Sequence, residues 1–315
     1  MVSVWVKDGD YVGIQTERLS PLFSFLIGFR RFYSRYKREC REAKRSGYAI
    51  IDKKFFVKNK STKGEIFFVL GCGSSINAIS PKTWQMIKSN TSIGLNQWIC
   101  HEHVPNYLML EGMRREASSN ANLDIYYSNL KLWRDINVSN YLDKNPETIV
   151  LGKDILNTIL PQRFGHYLDG ERGFVIPKFT IPGRTNLSKD FSIRVLSRLV
   201  LLDQLPFFSR SSVTLAISFG YSLGFKKIVL CGVDLKDANY FWDSQYYLAN
   251  EFVSRPPSAS SILSVHGTVD KKIDAVTVDE NIYSINESFL RPRGVELTVI
   301  SDTSRLFPRI GKFSQ

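Results

Sequence analysis

Residues 211–235, SSVTLAISFGYSLGFKKIVLCGVDL, confine the chain to few architectures. An apolar helix pattern over 211–225, with Gly224 placed to cap it, runs straight into the β-branched strand KKIVLCGVDL, which ends in Gly-x-Asp. A helix feeding a short, uniformly apolar strand is the repeating step of a parallel sheet buried on both faces. Functional residues then belong at the carboxyl ends of the strands.

A second unit of this kind is EIFFVLGCGSS, residues 65–75, where an apolar strand runs into Gly71, Gly73, Ser74 and Ser75. SPKTWQMIKSN follows as a short helix with Ser80 as N-cap and Pro81 in its first turn. TSIGLNQWI and PNYLMLEG are two further strands, and weaker alternations follow in IYYSNLKLW and TIVLGK. GERGFVIPKFTIPGRTNL, residues 170–187, has the Gly and Pro content of a loop or sheet edge. Residues 243–265 lack clean periodicity and are expected to form a mobile lid. DAVTVDENIYSINESFLRPRG reads as a helix and VELTVIS as a last strand. The expected fold is α/β, modified Rossmann-type: a mostly parallel sheet flanked by helices, with a lid and a basic N-terminal arm. The expected segments are the arm at 1–60, a nucleotide-binding α/β domain at 61–242, and a lid with C-terminal helix and strand at 243–315.

The charge is unevenly placed. Of a net +12, residues 1–60 supply +8, from 14 Lys/Arg against 6 Asp/Glu. Most of it lies in FRRFYSRYKRECREAKR, directly after PLFSFLIGF. An aromatic, apolar stretch joined to a basic run fits an anionic membrane surface through residues 21–45. A solvated helix packing its aromatics on the main domain and a nucleic-acid patch are the competing explanations. No apolar run reaches the roughly 18 residues of a membrane span. Cys40, Cys72, Cys100 and Cys231 are far apart and form no Cys-x-x-Cys, which fits a cytoplasmic protein at or near the inner face of a membrane.

The Gly-Cys-Gly-Ser-Ser turn has the form of a phosphate or nucleotide receptor, because glycine lets a backbone approach a ligand and a helix start favours an anion. A dinucleotide fingerprint would need glycine at Ile76 and an acid after the next strand, which instead ends in Asn96 and Gln97. Gly-Lys-Ser/Thr is absent from the turn, so neither NAD nor a P-loop nucleotide fits. Amide side chains offer donor and acceptor together and suit a pyrimidine edge or a ribose. A glycine turn kept only for close packing remains the alternative.

Three stretches together resemble one family: VLGCGSS…GLNQW, FFSRSSVTLAISFGYSLGFKKIVLCGVDLKDANYFW, and VHGTVDKKIDAV…GVELTVIS. They are similar, in order and spacing over roughly residues 66–305, to the bacterial sialyltransferases of glycosyltransferase family 42. The resemblance implies a CMP-nonulosonate donor, a glycan or glycolipid acceptor such as a lipooligosaccharide or capsule precursor, and inverting transfer with neither cofactor nor metal. It further implies that Gly71, Gly73, Ser74 and Ser75 line the nucleotide turn. Asn96 and Gln97 would meet the ribose and donor sugar, with Arg210, Ser211 and Ser212 near the substrate and Asp234 beside the cytidine. His266 falls at the general base, and Ser301 and Thr303 in a loop near the donor carboxylate. Where the family carries two tyrosines for the leaving phosphate, this chain has Lys236, Tyr240 and Trp242. That departure leaves a CMP-Kdo transferase and a non-catalytic nucleotide- or glycan-binding module as alternatives, and the oligomeric state open.

None of the apolar strands ends in Asp-x-Asp, and a monophosphate can be neutralised by fixed donors alone. Of the four histidines, His101 and His103 form a superficial metal pair with no third ligand nearby, and His166 sits in a loop. His266 has the place of a base.

Overall fold

A computed structural model describes residues 5–7, 10–12, 21–60, 65–111, 121–153, 165–177, 179–182, 186–198, 202, 205–236, 239–249, 255–257 and 276–314. His266 and most of segment 243–265 lie outside the described residues.

Seven strands form one sheet: β3 (Ile66–Leu70), β4 (Thr91–Leu95), β5 (Tyr107–Glu111), β6 (Ile149–Lys153), β7 (Gly173–Ile176), β10 (Lys227–Cys231) and β11 (Glu296–Val299). Their spatial order is β11-β10-β3-β4-β5-β6-β7, and every pairing is parallel. Two small sheets stand apart, an antiparallel pair of β1 (Trp5–Lys7) with β2 (Asp10–Val12) and a parallel pair of β8 (Phe179–Thr180) with β9 (Phe207–Phe208). The fold is α/β and Rossmann-like.

The chain starts its large sheet at β3, steps outward through β4, β5, β6 and β7, then returns to the other flank of β3 as β10. The strand order therefore reverses between β3 and β10. Loops leaving those two carboxyl ends diverge, and the crevice between them is where open α/β sheets take ligands.

Alternation explains why the strands are apolar throughout. Phe67 and Val69 of β3 enter one core with Ile93, Met109, Ile228 and Leu230, while Phe68 and Leu70 enter a second core with Leu108, Leu110, Val150 and Val229. Helices cover both faces. The first core receives α1 (Pro21–Arg45), α2 (Lys53–Lys58), α5 (Asn186–Arg198), α6 (Ser212–Ser222) and α8 (Val278–Ile285). The second receives α3 (Pro81–Ser89) and α4 (Ala121–Lys144), with α7 (Gln245–Ala249) contributing Tyr247. Phe25, Ile51, Phe55 and Phe56 from the first 60 residues share the first core with Val278 and Leu297 from the last 73, so one core spans all three sequence segments.

Local signals act as their chemistry dictates. Ser80 Oγ accepts the Thr83 N–H, and Gly224 takes φ +93° to end α6. One expectation changes and one is met. IYYSNLKLW belongs to the 24-residue helix α4. The Gly- and Pro-rich 170–187 stretch contributes edge strand β7 and then β8.

Phe219 of α6 is fully buried and meets the rings of Phe55, Phe56, Phe67 and Tyr107 at 5.1–6.2 Å. Phe219→Ala is expected to cost about 3–5 kcal/mol. Urea unfolding should show this as a lowered midpoint with an unchanged m value.

Candidate functional site

Two glycine loops meet at the crevice. Gly71 N–H donates to Cys231 O at 2.7 Å and Gly73 N–H to Gly232 O at 2.8 Å, so the β3 and β10 loops run backbone against backbone. A Cβ on Gly71 would lie 2.5 Å from Gly232 O, and one on Gly73 would run into the Asp234 carboxylate. Gly232 has φ +63° and faces Gly71 O in turn. Close packing of two loops is what these glycines permit.

Several of the turn's own donors are taken up internally. Asp234 accepts the Ser75 N–H at 2.9 Å and the Ser75 hydroxyl at 2.5 Å, both buried. This changes the expectation for Ser75 and Asp234: the carboxylate caps the short 3-10 turn at 74–78, where a ligand phosphate had been expected.

Between the loops and α6 lies a cavity of about 310 Å³. Of the residues singled out in the sequence, Gly71, Gly73, Asn96, Gln97, Arg210, Ser211, Ser212, Asp234 and Tyr240 line it. Ser74, Ser75, Trp242, Ser301, Thr303 and Lys236 are outside the lining. Trp242 is buried, its ring stacked 4.5 Å from Tyr240. Ser301 and Thr303 bond each other at 2.7 Å in an exposed loop, and Lys236 is exposed. That loop is anchored beside the site, since Arg305 N–H donates to Asp234 O and Ser304 Oγ–H to Val233 O.

Backbone strain gathers here. Among the described residues, the non-glycine positions with positive φ are Asn96 (+53°), Arg210 (+69°) and Leu235 (+55°), and all three line the cavity. Left-handed arginine or leucine costs on the order of 1–3 kcal/mol and persists only where its surroundings enforce it. At Asn96 the side chain helps, its Oδ1 accepting the Glu111 N–H at 3.1 Å. Arg210 donates to Val276 O, and burial lowers its pKa.

Behind Arg210, Lys189 Nζ donates to Ser209 Oγ at 2.8 Å and to Asn281 Oδ1 at 2.5 Å, tying α5, the end of β9 and α8 together. Burial, with Arg210 adding repulsion, pushes this lysine down to about 7.

The 11-residue helix α6 begins at the cavity. Ser211 is its N-cap, and Ser212 and Val213 are its first two residues. Ser211 Oγ accepts the Thr214 N–H, so the positive end of a full helix, with Arg210 before it, faces the space.

A charged cluster at the far wall had not been singled out in the sequence. Glu111 and Lys153 end β5 and β6 in matching register. Glu111 Oε1 lies 3.0 Å from Lys153 Nζ, and Oε2 accepts the Ser212 hydroxyl at 2.9 Å. Lys153 also reaches Ser212 Oγ at 3.1 Å and lies over the Phe208 ring. The lysine side chain is 1% exposed and the glutamate 40%, so the cation is sealed behind a carboxylate that lines the cavity. PNYLMLEG and TIVLGK each end an apolar run in a charge, which was the available signal.

Cys72 lines the cavity too, but burial pushes its thiol up to about 12 and it donates to Leu95 O. No nucleophilic thiolate forms there.

His101 and His103 are packing residues. The His101 ring stacks 4.4 Å from Trp98 and 5.0 Å from Trp84, and its Nδ1 accepts the His103 N–H. His103 meets Ser92 Oγ at 3.3 Å. Among the described residues no group of three or more His, Cys, Asp or Glu could hold a metal ion. The chain does hold one Asp-x-Asp, Asp8-Gly9-Asp10, in the N-terminal segment; Asp8 and Gly9 lie outside the described residues. His166 is exposed and packs on Tyr167.

No protein-family model and no curated protein matches the chain.

Burial holds His101 and His103 down at about 3 and about 4. In the unfolded chain both titrate near ~6.5. The unfolded state thus binds more protons between those values, and stability, full above pH 6.5, is lost as pH falls through this window. Between pH 6.5 and 5 the expected loss is roughly 1–2 kcal/mol per histidine. Denaturant unfolding at both pH values, with His101→Phe halving the loss, checks it.

Gly71→Ala and Gly73→Ala should each cost about 1–3 kcal/mol by overpacking. At Gly311 a methyl meets nothing within 4 Å, and Gly311→Ala should stay within about 0.5 kcal/mol. Chemical denaturation of the three variants compares them.

Proposed function

We infer that the chain is an inverting glycosyltransferase that takes a nonulosonic acid from a CMP-activated donor, without a metal, and passes it to a glycan acceptor. One observation carries this. Residues from two stretches behind the resemblance, more than a hundred positions apart, line one cavity at the strand-order reversal: Gly71, Gly73, Asn96 and Gln97 with Arg210, Ser212 and Tyr240.

Each lining group has work suited to its chemistry. Asn96 and Gln97 can read a pyrimidine edge or ribose. Since Asp234 already holds the Ser75 turn, the donor's negative charge belongs at the start of α6, between Arg210 and the first-turn amides. Tyr240 adds a phenol for the leaving phosphate. The Glu111 carboxylate, fixed by Lys153 and Ser212, accepts hydrogen bonds from sugar hydroxyls.

In the reaction an acceptor oxygen attacks the anomeric carbon as the carbon–oxygen bond to phosphate breaks. The hydroxyl proton passes to a base, the role assigned to His266, and CMP departs as the anion. A CMP-Kdo donor would follow the same course.

A non-catalytic nucleotide- or glycan-binding module is the second reading, favoured by the Asp234 carboxylate occupying the Ser75 donors of the glycine turn and by the exposed Lys236 outside the cavity. Titration calorimetry with CMP, UDP, GDP and NAD, with and without magnesium, tests binding. Selective, metal-independent CMP binding, weakened about tenfold or more in Arg210→Ala, is expected. Turnover of CMP-sialic acid or CMP-Kdo, abolished in His266→Ala, separates enzyme from module. Preference for UDP or NAD, or no nucleotide binding, would refute the transferase reading.

A further inference from the structure

Helix α1 is clamped in one rotational setting. Phe25 and Phe29 stack at 5.6 Å, Phe25 meets Phe191 of α5 at 6.1 Å, and Tyr36 meets Phe179 of β8 at 6.0 Å. Gly28 lies so close to Pro182 that a Cβ there would be 2.8 Å from its ring. Phe25, Phe29 and Tyr36 therefore face inward, leaving the opposite side of the helix fixed toward the outside.

That outward stripe has two parts. Its first two turns expose Leu22 (52%), Leu26 (52%) and Ile27 (43%), with Phe23 beside them. From the third turn on it is basic, with Arg30, Arg31, Lys37, Arg38 and Arg41 all exposed and Lys44 and Arg45 closing the helix. Of the helix's two acids one lies off this stripe and one borders it at Arg38. Glu39 is buried and paired with Arg35 at 3.0 Å, and Glu42 is half-buried, 3.9 Å from Arg38.

A water-solvated helix gains nothing by presenting neighbouring leucines and isoleucine, and contiguous exposed apolar surface marks contact with something else. We propose that this stripe docks on an anionic phospholipid bilayer. Leu22, Leu26 and Ile27 enter the headgroup–acyl boundary, and the basic turns lie along lipid phosphates. Charge complementarity selects this occupant: a bilayer surface accepts both an apolar wedge and a predominantly basic run, as a polyanion without an apolar phase does not. At 1.5 Å per residue the 25-residue helix is about 37 Å long, enough to lie across many headgroups. No helix among the described residues is long and apolar enough to cross a membrane, so contact is along the surface.

The inward face of α1, opposite the stripe, leads toward the candidate site. α1 packs on β8, β8 pairs with β9, and β9 ends at Phe208, two residues before Arg210. Docking itself requires neither nucleotide nor turnover.

Sedimentation of the full chain with vesicles tests this. Phosphatidylcholine vesicles containing one third phosphatidylglycerol should pellet the protein, phosphatidylcholine alone should not, and added salt should release it. Leu26→Glu with Ile27→Glu, and separately Arg30→Glu with Arg38→Glu, should each weaken binding about tenfold or more. All four side chains are exposed, so thermal melting should move by no more than a few degrees. Wild-type protein that ignores the anionic vesicles, or binds neutral ones equally, overturns the proposal. So does dimerisation broken by Leu26→Glu without vesicle binding, or tight binding to a nucleic-acid duplex in its place.

Discussion

Everything at the candidate site hangs on the contact between the loops that leave β3 and β10. Gly71 and Gly73 donate to Cys231 O and Gly232 O, and Asp234 reaches across to take both donors of Ser75. Such close approach needs residues without side chains on both loops, and it fixes where the crevice of the parallel sheet opens. The remaining walls are supplied by the ends of β4, β5 and the start of α6. Left-handed backbone at Asn96, Arg210 and Leu235 then aims those walls inward, its cost offset by the packed sheet beneath.

The site's electrostatics follow from which charges are already satisfied. Asp234 is committed to Ser75 and Lys153 is sealed behind Glu111. What faces the cavity is a positive helix end with Arg210 on one side and a fixed carboxylate on the other. A ligand with an anionic centre and a hydroxyl-rich portion matches that division, which is the shape of an activated sugar.

Much of this was legible in the sequence, for identifiable reasons. α6 and β10 announce themselves because nearly every residue in them is buried, so apolar content alone marks them. Asn96, Gln97, Arg210 and Ser212 could be singled out because each stands where an apolar pattern ends or begins. α4 was obscured because its apolar residues lie on both faces, Leu132 and Ile136 exposed while Trp133 and Leu142 are buried, so no helical period emerges. The Glu111–Lys153 pair needed knowledge that β5 and β6 are neighbours in register. Asp234 was visible as a strand-end acid, but its partner depends on β10 returning beside β3, a feature of topology rather than of local pattern.

The most direct test is amide hydrogen exchange across the chain with and without CMP. Ligand binding in this crevice should slow exchange at Leu95–Gln97 and at Arg210–Val213, leaving the amides of α4 and of the α1 stripe unchanged. Protection confined to another region, or none at saturating CMP, would contradict the placement of the site at the β3–β10 crevice.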